Sequence, residues 1–212
     1  MRKLKKNILI LLQTFPKIFN PFWEYIYWPL FGKKTPDKGF SGSAQEVFTS
    51  IHGKNYWGSG ESVSGPGSEI RFTENLRANL STLISDIELK SMIDAPCGDC
   101  NWISKVNFPS GFSYTGGDIV EPLINENRGS VSFLSQSVVP NFTVFDIRLD
   151  ELPDVDLWLC RDVFFHMPTP DILMALKNFK KSKIKYLLTS NFHFPSDNID
   201  ATRGGSRHIN LR

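Results

Sequence analysis

Three short apolar runs in the middle of the chain each end on a carboxylate: Met92-Ile93-Asp94, residues 112–117 followed by Asp118, and residues 142–145 followed by Asp146. A carboxylate at the end of a buried strand accepts hydrogen bonds from hydroxyls, amines or an ammonium. Acids at the same end of several strands therefore point to a ligand rich in donors. The first run passes through Ala95-Pro96-Cys97-Gly98-Asp99-Cys100, a tight glycine turn, into an expected helix. That arrangement brings a nucleotide-like ligand to a helix N-terminus. A fourth apolar run ends in Leu159-Cys160-Arg161-Asp162, with His166 four residues further on. Imidazole titrates near neutrality, which suits proton transfer, and its alternative role here is to cap or bond the turn at Pro168. Cys97 and Cys100 also have the Cys-x-x-Cys spacing of thiol redox sites. Against redox chemistry, Asp94-Ala95-Pro96 stands where an aromatic commonly precedes such cysteines, and the later acids would have no part in it. With Cys160 there are 3 cysteines, too few for a disulfide scaffold or a regular zinc site, and in keeping with a reducing compartment.

The elements that must hold these residues follow from periodicity. Strands are expected at residues 91–95, 114–118, 142–145, 155–159 and 185–190. Leu76, Leu80, Leu83, Ile84 and Ile87 recur at helical spacing within residues 70–87. Thr169-Pro170-Asp171 opens a second helix, with a capping residue, a proline in the first turn and an early acid; Ile172, Leu173, Leu176 and Phe179 share one face. Residues 44–51 make a short helix, and residues 56–68, rich in Gly and Ser, form a loop whose Trp57, Glu61 and Ser62 are candidates for a lid. Strands alternating with helices mean a parallel, doubly wound α/β sheet.

The 212 residues fit one domain with a decorated end. Hydrophobic residues at 41% suffice for a core, and a net charge of +2 argues against nucleic-acid binding by bulk electrostatics. The charge is uneven, with eight Lys/Arg against two Asp/Glu in residues 1–38. Residues 1–42 read as a basic, aromatic-rich segment and linker, and residues 43–212 as the domain. The apolar run Asn7-Ile8-Leu9-Ile10-Leu11-Leu12 is too short to span a bilayer, and Pro16, Pro21 and Pro29 break a long helix. Trp23, Tyr25, Tyr27 and Trp28 beside lysines suit either a lipid–water interface or packing on the domain or a partner. Residues 1–31 are thus expected to pack or to touch a membrane peripherally, with the chain otherwise cytoplasmic.

The strand ending Ile93-Asp94-Ala95-Pro96-Cys97-Gly98-Asp99, the acids Asp118 and Asp146, and the segment Leu159-Cys160-Arg161-Asp162-Val163-Phe164-Phe165-His166 together resemble class I S-adenosylmethionine-dependent methyltransferases. More narrowly, the chain is similar to a little-characterised bacterial-type group that combines a Trp-Gly-x-Gly-Glu-Ser-x-Ser-Gly-x-Gly-Ser loop, a Pro-Cys-Gly-Asp turn and a Cys-Arg-Asp-x-x-x-His segment. The resemblance covers residues 47–211. It implies a Rossmann-like sheet with helices on both faces and methyl transfer to a small-molecule or glycan acceptor. Cys97, Gly98 and one of Asp94 or Asp99 would meet the methionine end of the cofactor. Asp118 and Ile119 would meet the ribose, with Gly116-Gly117 clearing space. Asp146 and Ile147 would flank the adenine. Arg161 would contact the cofactor or an anionic acceptor, or pair with an acid. His166 would be the base, with Asp162 orienting it across a helical turn or touching a substrate. Two departures stand out: the first turn has a single glycine, and the chain stops at Arg212 without the family's last two strands. One sheet edge is therefore expected to lack its usual cover. The alternative is a catalytically inactive, methyltransferase-like partner or membrane-associated protein. A nicotinamide dehydrogenase is disfavoured, because Gly-x-Gly-x-x-Gly is absent.

Overall fold

The computed structural model describes residues 7–12, 40–57, 59–133, 138–192 and 198–211. In chain order its main elements are β1 (Asn7–Leu12), α1 (Ala44–Gly53), α2 (Glu74–Asp86), β2 (Ser91–Asp94), β3 (Ser113–Asp118), α3 (Glu121–Ser130), β4 (Asn141–Val144), β5 (Leu157–Cys160), α4 (Thr169–Lys181) and β6 (Tyr186–Asn191). The strands form one sheet in the order β1-β6-β5-β2-β3-β4, parallel at every pairing. This is a Rossmann-like α/β fold. The strand order, not the strand direction, reverses between β2 and β5, and ligands of open α/β sheets bind at such a switch point, beyond the carboxyl ends of the strands.

Strand side chains alternate between two buried faces, as a parallel sheet requires. Met92, Tyr114, Phe142, Leu157, Leu159 and Leu188 pack on one face with Leu80 and Ile84 of α2 and Ile124 of α3. Ile93, Trp158, Cys160 and Leu187 pack on the other with Ile172, Ala175 and Phe179 of α4. Deep burial of Trp158 leaves its indole N–H needing a partner, and the Ala95 carbonyl supplies one at 2.8 Å. That bond ties β5 to the first residue of the turn after β2. Ser43 starts α1 with a capping box: its hydroxyl accepts from the Glu46 N–H at 3.3 Å, and the Glu46 carboxylate accepts from the Ser43 N–H at 2.7 Å.

Three expectations change. The turn after β2 leads into no α-helix. Cys100 has φ +56°, a left-handed residue that a right-handed helix cannot contain, and only a single 3₁₀ turn, Ile103–Lys105, follows. The helix expected over residues 70–87 is shorter, because Ile70–Phe72 forms a separate 3₁₀ turn before α2. The sheet edge beyond β6, expected bare, is paired by β1 from Asn7↔Tyr186 to Leu12↔Asn191. The apolar run near the N-terminus is thus a strand of the same sheet, while the aromatic run at 13–31 and the linker glycines at 32–39 lie outside the described residues. Among the described residues, no helix is long and apolar enough to cross a membrane.

Candidate functional site

A cleft of about 1010 Å³, open mouth included, lies over the carboxyl ends of β2, β3, β4 and β5. Of the residues singled out from the sequence, Asp94, Cys97, Gly98, Asp118, Ile119, Asp146, Ile147, Arg161, Asp162 and His166 all line it. Asp99 does not appear on its wall.

The two acids closing β2 and β3 are buried at 3% and 5% exposure. Asp94 accepts the Tyr114 hydroxyl at 2.8 Å. Burial pushes its carboxyl up to about 7, against the Tyr114 bond and the Arg161 charge that pull it down, while the nearby Asp118 charge adds to the rise. Asp118 accepts the Gly98 N–H at 3.1 Å on one oxygen and the Val120 N–H at 3.0 Å on the other. Burial raises its pKa as well, opposed by those N–H bonds. Asp118 therefore joins the first turn to the start of α3, and with the Ile119 N–H also reaching it the carboxylate keeps room for one further donor.

Gly98 makes this approach possible. Its φ is +56°, and a Cβ there would collide with the Ser64 hydroxyl. Its carbonyl accepts from Asn127 of α3 at 2.7 Å. The glycines of β3 have another purpose than the one expected. A Cβ on Gly116 would sit 2.7 Å from the Phe142 ring, and one on Gly117 would sit 2.9 Å from Phe145 Cβ. They make room for aromatic packing, and Phe145 in turn forms part of the cleft wall.

Two of the expected ligand acids are occupied by the protein. Asp99 accepts the Val63 N–H at 2.9 Å, the Ser64 hydroxyl at 3.1 Å and the Asn101 N–H at 3.2 Å, and its own N–H goes to Ser64 Oγ at 3.0 Å. It latches the Gly/Ser loop to the first turn, so of the pair Asp94 and Asp99 only Asp94 faces the cleft. Asp146 holds Arg148 through both oxygens, at 2.9 Å to Nε and 2.6 Å to a terminal nitrogen, and also accepts the Arg148 N–H at 2.9 Å. Arg148 bridges on to Asp171 at 3.1 Å, which Arg203 grips at 2.6 and 3.0 Å. The tight turn after β4, with the Asp146 carbonyl accepting from Leu149 and Asp150, brings the pair together.

Beyond β5, Arg161 lies across the Trp102 ring at 5.3 Å, pairs with Asp162 at 2.7 Å and donates to the Gly67 carbonyl at 2.9 Å. Asp162 has φ +56°, so no helical turn connects it to His166; the 3₁₀ turn begins at Phe164. The Asp162 carboxylate meets Arg161 and the Ser190 hydroxyl. His166 Nδ1 meets the Gly205 carbonyl, which only accepts, so Nδ1 carries the hydrogen and the neutral ring has its lone pair on Nε2. Trp57 stacks on the imidazole at 5.0 Å and 29°. Glu61 bonds the Ile70 N–H and the Asn101 amide, each at 2.7 Å, and Ser62 is buried, so the loop of residues 59–68 is folded down rather than splayed.

The thiols are poor redox groups. The Cys100 thiol hydrogen bond and burial push Cys97 well above its ordinary value, and burial does the same to Cys160. A reactive thiol needs the opposite shift. Among the residues of the site that sequence reasoning missed are Ser64 and Arg148, whose partners are set by turns, and His52 of α1, which lines the cleft. Its spacing in an amphipathic helix carried no signal of that placement.

No protein-family model matches the chain, and no curated protein sequence matches it. Among solved structures, human N-acetylserotonin methyltransferase in complex with SAM is similar at a TM-score of 0.49 and 17% identity, over 77% of this chain and 46% of that one. A SAM-dependent methyltransferase from Leishmania major gives 0.48 and 12%, over 71% and 65%. Magnesium protoporphyrin IX methyltransferase from Synechocystis with bound SAH gives 0.46 and 17%, over 63% and 64%. This chain thus spans less than two thirds of the length of each, and no residue role rests on these likenesses.

Proposed function

We propose that the chain is an S-adenosylmethionine-dependent methyltransferase acting on a small-molecule or glycan acceptor. One observation carries this reading: two buried strand-terminal carboxylates, Asp94 and Asp118, meet the left-handed Gly98 turn at the switch point of a parallel sheet. The cleft fits the cofactor in kind. Acceptors at Asp94 and Asp118 match an ammonium and ribose hydroxyls, and Val120, Leu123, Phe145 and Ile147 supply apolar wall for a base. The buried Nδ1 of His52, without a hydrogen bond, marks an unmet polar demand in the same wall.

S-adenosylmethionine, when bound, supplies a methyl group on a sulfonium, open to in-line displacement by a nucleophile. The protein's contribution is to bind, orient and exclude water. Asp94 would hold the ammonium, Asp118 the ribose, and Ile119 and Ile147 the flanks of the adenosine. Asp146 would act through Arg148 by shaping the turn beside the adenine. The Trp57 loop, latched by Asp99, would exclude water from the side. An acceptor hydroxyl would give its proton to His166 Nε2 as the carbon–oxygen bond forms, with the Gly205 carbonyl holding the opposite ring hydrogen in place. Arg161, held by Asp162 and Gly67, would keep a positive charge near the acceptor.

Cofactor labelled in its methyl group, incubated with pools of small-molecule and glycan acceptors, tests the reading. Labelled product from the wild-type chain, lost in folded Asp118→Ala, supports it. A wild-type chain that transfers no label to any pool and binds no S-adenosylhomocysteine would sink it.

A further inference from the structure

His52 stands in the last turn of α1, which packs against α3, and its ring shares the cleft wall with Asp118, Val120 and Leu123. Its Nδ1 is buried and makes no hydrogen bond. Its Nε2 lies 3.7 Å from the Glu126 carboxylate of α3, too far for a hydrogen bond but close enough to favour a hydrogen on that side. A carboxylate only accepts, so in the neutral ring Nδ1 holds the lone pair. Buried polar atoms in folded chains are nearly always paired, and one left without a donor on a ligand cleft marks where a ligand's donor belongs.

Asp118 is also acceptor-only. Its oxygens already take the Gly98 and Val120 N–H groups, with the Ile119 N–H also reaching the carboxylate, and one further donor can be accepted. Two acceptors on an otherwise apolar stretch of wall ask for two donors on one ligand group. A vicinal diol provides them and brings no charge to be desolvated beside Val120 and Leu123. An ammonium is better matched by Asp94, the most deeply buried acid of the cleft.

We infer that His52 Nδ1 accepts a hydrogen bond from one hydroxyl of the ligand's ribose diol, with Asp118 accepting from the other. This inference rests on the cofactor reading above and adds α1 to the ligand-binding elements. His52 then sets specificity: a ligand lacking the hydroxyl it serves, or carrying a phosphate there, is discriminated against.

The test is calorimetric titration with S-adenosylhomocysteine and its 2′-deoxy and 3′-deoxy analogues, on the wild-type chain and on His52→Phe. In the wild type each deoxy analogue should bind about tenfold more weakly, the loss of one net hydrogen bond. His52→Phe should bind the parent ligand about tenfold more weakly and be indifferent to removal of one of the two hydroxyls. His52→Asn, whose amide reaches toward the Nδ1 position, should recover part of the loss. If His52→Phe does not fold, His52→Ala replaces it with the same expectation. Folded variants that keep wild-type affinity and sensitivity to both hydroxyls overturn this inference alone. A folded wild-type chain that binds no S-adenosylhomocysteine overturns the cofactor reading and this inference with it.

Discussion

Asp94 and Asp99 flank the same turn, yet they face different parts of the molecule. Asp99 belongs to a latch in which it, Asn101 and Glu61 satisfy one another and the backbone of the Gly/Ser loop. Asp94 belongs to a wall in which it and Asp118 are buried, raised in pKa and left with lone pairs open to a ligand. The contrast recurs one strand further on, where Asp118 faces the cleft and Asp146 is gripped by Arg148. A strand-terminal acid can serve as a ligand group when its partners within the protein leave some of its lone pairs open. Burial without such partners costs stability, and a ligand that supplies donors offsets that cost.

The largest expected effect concerns pH and sharpens the difference between wall and latch. Burial raises the folded-state pKa of Asp94 from the ordinary 3.8 to about 7, so between these values the folded chain holds a proton that the unfolded chain has released. Its contribution to stability is complete below pH 3.8 and is lost as the pH rises through about 7. The shift corresponds to roughly 4 kcal/mol at most. Chemical unfolding of Asp94→Asn between pH 4 and pH 7.5 should show a flatter pH dependence than the wild type, because the amide cannot titrate. Equal slopes would mean that Asp94 is not buried with a raised pKa.

Next comes Asp118→Ala, which should weaken S-adenosylhomocysteine binding by about 1–3 kcal/mol, roughly tenfold to more than a hundredfold. Titration of the folded variant checks this, and unchanged affinity would remove Asp118 from the ligand. Asp99→Ala should behave in the opposite sense. Loss of its bonds to Val63 and Ser64 should lower stability by about 1–2 kcal/mol, read by thermal unfolding, while changing ligand affinity less than Asp118→Ala does. If Asp99→Ala lowers affinity as much as Asp118→Ala does, the division between latch and wall fails. The smallest effect is expected for Glu126→Gln. The Glu126 side chain is 62% exposed and 3.7 Å from His52, so stability should change by no more than about 0.5 kcal/mol in a denaturant titration.

The wall was legible in the sequence because each of its acids ends an apolar run, and strand ends observed at Asp94 and Asp118 coincide with those runs. The latch was not. Which of Asp94 and Asp99 meets the cleft depends on left-handed backbone at Gly98 and Cys100 and on a loop 35 residues upstream whose Ser64 fills the turn. Likewise, Asp146 and Arg148 are two residues apart, and only the turn after β4 folds one onto the other. The run at Asn7–Leu12 reads only as too short to span a bilayer, within a segment that packs or touches a membrane; its place as a strand beside β6 rests on backbone bonds that no side-chain pattern announces. The expected helix after the first turn rested on the usual form of such folds, and φ at Cys100 excludes it.

The central claim is that Asp94 and Asp118 form an adenosyl-methionine wall, and direct titration of S-adenosylhomocysteine into the folded 212-residue chain tests it. The account predicts saturable heat at one site per chain, weakened in Asp118→Ala and retained in Asp99→Ala. A chain shown to be folded by circular dichroism that gives no heat and no protection against thermal unfolding at saturating ligand would contradict it.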